Sequence, residues 1–215
     1  MKKYYALLTI VAGTACTFTS NASITGAGWT NDSDGAVVCS TWNWNSTSST
    51  LSMDGTQYSS PGHMLGWIHT SSATDPTLSL GSALINDTAS AWIGMQVNVY
   101  MPNTFTMATS GIFAPTVANP PNNDWTVGSV VNDGLVSNPP DYTGSEYEWT
   151  VFFNGGTEVA TGGELDFSYA IQFSGATSYA FTQEMIPMTP APVPEPGTLA
   201  LLGCGLAGLL IARRR

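Results

Sequence analysis

Leu165, Phe167, Tyr169, Ile171 and Phe173 alternate with Glu164, Asp166, Ser168, Ala170 and Gln172. Only an extended strand turns a period of two into one apolar face. Ile93, Met95, Val97, Val99 and Met101 alternate in the same way with Gly94, Gln96, Asn98 and Tyr100. Strand character recurs at Ala36–Trp44, Ser49–Met53, His63–His69, Thr77–Leu80, Thr104–Ala108, Trp125–Val131, Tyr147–Phe153 and Tyr179–Met185. Clusters of Gly, Asn, Asp and Pro separate these runs, as in Asn119-Pro120-Pro121-Asn122-Asn123, and such clusters break strands and make turns. No stretch of the middle of the chain holds a helical period beyond two turns. The expected fold is all-β: eight to ten antiparallel strands in a β-sandwich of Greek-key or jelly-roll type, with closure into a barrel as second choice.

Charge narrows the function. The five basic residues are Lys2, Lys3, Arg213, Arg214 and Arg215, and all fifteen carboxylates lie between Lys3 and Arg213. Nucleic acids and anionic lipid surfaces are bound through Lys and Arg, so neither is an expected partner of the middle region. Its carboxylates must be solvated, hydrogen-bonded or neutralised by a bound cation. Cys16 and Cys204 fall in the terminal segments, which leaves Cys39 with no partner for an intrachain disulfide.

The ends have a different character. Lys2 and Lys3, the apolar run Ala6–Phe18 and the small residues of Ser20-Asn21-Ala22 make residues 1–22 a secretory signal peptide, expected to be helical. The exported domain spans 23–186. Residues 187–196 are a Pro-rich linker holding Pro187, Pro190, Pro192, Pro194 and Pro196, expected to stay extended and outside any sheet. Residues 197–212 read as a transmembrane helix, short of the ~20 residues of a comfortable span. Arg213, Arg214 and Arg215 form a basic cytoplasmic stop.

Val193-Pro194-Glu195-Pro196, the apolar helix and the terminal arginines resemble the PEP-CTERM family of exported bacterial proteins over about a tenth of the chain. The resemblance implies a sorting motif at Val193, Pro194, Glu195 and Pro196, and a membrane-embedded exosortase as processing partner. It further implies anchoring in the inner membrane, then release or display at the cell surface in an extracellular matrix or biofilm. The stretch from Ala91 to Tyr169 loosely resembles sandwich domains of that family with no assigned activity.

Candidate chemistry is thin. His63 and His69 share one strand face with Leu65 and Trp67 but stand roughly 20 Å apart at ~3.3 Å per residue. They cannot share one metal, and each is expected at a strand end or surface. Cys39, after Ala36-Val37-Val38, reads as a small buried apolar residue. Glu146/Glu148 and Glu164/Asp166 place carboxyls about 6.6 Å apart, a spacing that glycosidases use and that any solvated strand face also produces. Asp32-Ser33-Asp34-Gly35 departs from an EF-hand register at Thr30 and Thr41. A looser Ca²⁺ site would draw on Asp32, Asp34 or Asp54; no other cofactor is expected. Trp42 and Trp44 are the candidate sugar-binding residues, two indoles on one strand face able to stack pyranose rings. Ser46-Thr47-Ser48-Ser49-Thr50 is Thr-rich without the regular Thr-x-Thr ladder of an ice-binding surface. The expected protein is a non-enzymatic exported sandwich, with an exopolysaccharide-binding module as the alternative.

Overall fold

The computed structural model describes residues 23–72, 76–118, 121–140, 144–173 and 175–191, with backbone alone at 109–111. Twelve strands run in chain order: β1 Ile24–Asn31, β2 Val37–Asn45, β3 Thr50–Gln57, β4 Gly62–Thr70, β5 Thr77–Asn86, β6 Trp92–Met101, β7 Phe105–Ala118, β8 Pro121–Asn122, β9 Thr126–Ser137, β10 Ser145–Val159, β11 Glu164–Phe173 and β12 Ser178–Met188. Six pair in the order β1-β4-β12-β6-β10-β9 and six in the order β2-β3-β5-β11-β7-β8. One apolar cluster drawn from both sheets fills the space between them. The all-β, two-sheet expectation stands.

Two details of that expectation change. Pairing is not antiparallel throughout, because β3 and β5 run parallel. The chain leaves β3, reverses as β4 in the opposite sheet and reverses again into β5, which restores its direction. There are also more strands than the eight to ten expected. Gly26 and Gly28 interrupt the apolar pattern of β1, and their places on the sheet are covered by the indole of Trp67 from the neighbouring strand.

The core follows the alternation closely in β11, where Leu165, Phe167, Tyr169, Ile171 and Phe173 are all buried. It fails at one end of β6. Trp92 points inward instead, and Ile93 is 39% exposed. The register against β10 jumps there from Asn154↔Gly94 to Val159↔Trp92, and a bulge of that kind turns the next side chain to the other face. Trp92, Trp125 and Trp149 meet the packing role expected of large aromatics. Their indole N–H groups donate to Thr88 Oγ1, Thr157 O and Phe105 O.

Pro187 joins the sheet, contrary to expectation. Pairing of β12 with β4 ends at Met185↔Gly62, whereas pairing with β6 continues through Pro187↔Met95 to Met188↔Gly94. A strand bonded on one side only tolerates a residue without N–H. The signal segment 1–22, the sorting motif Val193–Pro196, the apolar helix and Arg213–Arg215 lie outside the described residues. Among the described residues no helix is long and apolar enough to cross a membrane.

Candidate functional site

The outer face of the first sheet carries a row of polar side chains where solvated ones were expected. His63 on β4 lies opposite Glu184 on β12, Glu184 opposite Asn98 on β6, and Asn98 opposite Thr150 on β10. Directly opposed residues share a face, so four strands deliver the row as one line. His63 Nε2 lies 3.1 Å from Glu184 Oε1. Asn98 Nδ2 and the Tyr100 hydroxyl donate to Glu184 Oε2 at 2.7 and 2.9 Å. Gln96 Nε2 donates to Asn98 Oδ1 at 2.9 Å. Thr150 Oγ1 stands 3.0 Å from Asn98 Oδ1 and 2.8 Å from Asp133 Oδ2, and its single proton serves one of them at a time.

Environment sets the proton affinities. Burial alone would raise the Glu184 carboxyl, but hydrogen bonds from His63, Tyr100 and Asn98 outweigh it and hold the group below its usual range. Burial, reinforced by the Glu184 carboxylate, pushes the Tyr100 hydroxyl far above the usual phenol range, so it remains a donor. Burial raises Glu148, and the charges of Asp133 and Glu184 add to it. Glu146 is raised by burial alone, with Oε2 buried and without a hydrogen-bond partner. The Glu146/Glu148 pair is therefore desolvated, which its spacing did not reveal.

At the β4 end of the row the connection from β1 to β2 brings up two more carboxylates. Asp34 Oδ2 lies 3.1 Å and Asp32 Oδ2 3.9 Å from His63 Nδ1. Backbone amides occupy the other oxygens: Ser33 N donates to Asp32 Oδ1, and Ala36 N to Asp34 Oδ1. His63 stands at the start of β4, the strand-end position expected of it, but its side chain is only 12% exposed rather than a surface group. Asp32, Asp34 and His63 present one ligand atom each within 4.8 Å of one another, the arrangement among the described residues best suited to a metal. Asp54 stands apart from them on β3, accepting from Thr41 Oγ1 at 2.8 Å. With Asp166 and Phe113 it lines a groove of about 380 Å³ on the second sheet.

Trp42 and Trp44 lie opposite Met53 and Leu51, hence on one face of β2 as the spacing predicts. Their surroundings differ. Trp44 packs against the core, whereas Trp42 is 46% exposed. The ring of Trp42 meets Trp67 edge-on at 6.4 Å, and Trp67 lies tilted against the His69 ring at 5.2 Å. The structure thus groups Trp42 with Trp67 and His69 rather than with Trp44. Cys39 is half-buried and donates its thiol to Thr41 O.

Sequence reasoning missed His63, Glu184, Asn98, Tyr100 and Thr150 as one site. Its only signal was polar residues recurring at outward positions of apolar strands, which any exposed face also shows. No curated protein and no solved structure matches the chain. Residues 192–215 match the family described as the PEP-CTERM protein-sorting motif, so the chain carries that motif at its C-terminal end.

Proposed function

We propose that the chain is an exported protein whose sandwich is displayed at the cell surface, or released there, as a non-enzymatic component of the extracellular polysaccharide matrix. The match of residues 192–215 to a protein-sorting motif carries this reading. The confinement of every Lys and Arg to the two ends supports it, since cations there orient and retain apolar segments at a membrane. An exosortase-type enzyme is the processing partner, and the cytoplasmic membrane holds the chain until the tail is removed. Expression in a bacterium with and without its exosortase tests the idea by fractionation and mass measurement. A chain of unprocessed mass should collect in the membrane without the enzyme, and a shorter one should reach the surface or medium with it. Equal mass and location in both strains would refute the proposal.

The exposed Trp42 beside Trp67 favours a second reading, a carbohydrate-binding module. Aromatic faces stack on sugar rings, and one or two such contacts give weak, polymer-dependent binding. Trp42→Ala and Trp67→Ala should each lower retention on bacterial exopolysaccharide. Unchanged retention in both removes this reading.

A further inference from the structure

We propose that Asp32, Asp34 and His63 bind one first-row divalent cation of the zinc or manganese kind, with Glu184 orienting the imidazole. Both ring nitrogens of His63 face carboxylate oxygen, Nδ1 at Asp34 and Nε2 at Glu184, each at 3.1 Å. A neutral imidazole has a single N–H and satisfies one of them. The other side needs a second proton on the ring or a separate cation, and the described residues contain no Lys or Arg.

The Nδ1 side is where a cation fits. Asp32 has a side chain only 7% exposed, and its Oδ2 is buried with no hydrogen-bond partner while directed at His63. That orphaned oxygen marks the position independently of the cluster of like charges around it, because a buried carboxylate oxygen without a donor is costly. A tetrahedral ion with bonds of about 2.0–2.1 Å holds its ligand atoms about 3.3 Å apart. Asp34 Oδ2 and His63 Nδ1 already stand at 3.1 Å. Asp32 Oδ2 stands at 3.9 Å from Nδ1, about half an ångström beyond that ligand–ligand separation.

The Nε2 side has the form of an orienting shell. Histidines on metals commonly donate their second N–H to a carboxylate that fixes the ring and its tautomer. Glu184 does this and is itself fixed by Asn98 and Tyr100. Nitrogen among the ligands argues against calcium, which takes oxygen alone. Carboxylate and imidazole together suit zinc or manganese. Three protein ligands leave one position or more for water or for an oxygen donor from outside, such as a sugar hydroxyl or carboxylate.

The test uses the full-length, tag-free chain in detergent, titrated calorimetrically with Zn²⁺, Mn²⁺ and Ca²⁺ after chelator treatment, with Co²⁺ absorption as a spectroscopic readout. One Zn²⁺ or Mn²⁺ should bind per chain, more tightly than Ca²⁺. Asp34→Asn, at an exposed position that leaves packing intact, should weaken binding at least tenfold, as should His63→Gln. Glu184→Gln should weaken it 10–100-fold and shift the Co²⁺ spectrum. His69→Gln and Cys39→Ser should change nothing. Absence of binding, leaving His63 as a protonated imidazolium among carboxylates, would overturn the proposal. So would a preference for Ca²⁺, or undiminished binding by Asp34→Asn while that variant melts like the parent.

Discussion

Glu146 should lower the stability of this protein at neutral pH, and removing its charge should raise it. The residue is 5% exposed and its Oε2 has no hydrogen-bond partner. It lines a cavity of about 210 Å³ with Leu65, Pro102, Ala180 and Phe181. A buried polar atom left without a partner costs about 1–3 kcal/mol, more when ionised. Glu146→Met fills similar volume without a polar atom, so a gain of about 1–3 kcal/mol at pH 7.5 is expected. At roughly 2–4 °C per kcal/mol for a chain of this size, the melting temperature should rise by about 2–12 °C. Glu146→Gln keeps an amide to be satisfied and should gain less.

The pH dependence separates this cause from a simple packing gain. Burial raises the Glu146 carboxyl in the folded state above its value in the unfolded chain. The native state then holds its proton to higher pH than the unfolded state does. The parent's stability is therefore retained below the unfolded carboxylate range, about pH 4.3, and lost as pH rises through the folded value. The advantage of Glu146→Met should be small at pH 4 and full at pH 7.5. Urea unfolding of parent and variant at both values measures it, since contributions from other carboxylates cancel in the difference. An equal advantage at both pH values, or a variant weaker than the parent at pH 7.5, would refute the reasoning.

Gly66→Ala should destabilise by about 1–3 kcal/mol in urea unfolding, because its Cβ would lie 2.1 Å from the Phe181 ring, which packs edge-on against Trp29. On the outer face Gly28→Ala would set a Cβ 2.6 Å from the Trp67 indole, while Gly26→Ala meets the same ring at an ordinary 3.5 Å. Tryptophan fluorescence should shift for the first and stay unchanged for the second. Asn86→Ala removes donors to Ser90 O and Val159 O and the acceptor for Thr88, and a loss of about 2–4 kcal/mol is expected by the same unfolding measurement.

Much of the sheet structure could be read from alternation, because burying one face of a strand leaves a trace at every second residue. That is why β11 and most of β6 follow the pattern. The reading broke where one face is not filled by the strand's own side chains. In β1, Gly26 and Gly28 are covered by Trp67, a residue some forty positions away. At Pro187, the decisive fact is that only β6 is paired there, which depends on where β4 ends. The polar row was illegible for a related reason. His63, Glu184, Asn98 and Thr150 come from four strands whose adjacency is set by the order β4-β12-β6-β10, and no local period encodes strand order. The C-terminal sorting motif, matched over residues 192–215, was legible because its chemistry is local and needs no tertiary context.

A domain with no Lys or Arg has four ways to keep a carboxylate in place, and the structure uses all of them. Asp124 takes the backbone amide of Thr157 together with its hydroxyl, which holds its carboxyl low. Glu184 takes an amide, a phenol and an imidazole. Asp166 and Glu146 are instead raised by burial and keep their protons to higher pH. Asp32 and Asp34 are served by backbone amides on one oxygen each, and the other oxygens converge on a histidine that cannot satisfy every carboxylate around it while neutral. Among the described residues the last arrangement gathers the most carboxylate oxygen around one nitrogen ligand. It sits at one end of a hydrogen-bonded row on the outer face of the first sheet, within reach of solvent through the exposed Asp34. Acidity in this chain is therefore not spread evenly: at one place the fold concentrates it around a single nitrogen ligand, and there a divalent cation supplies what the sequence withholds.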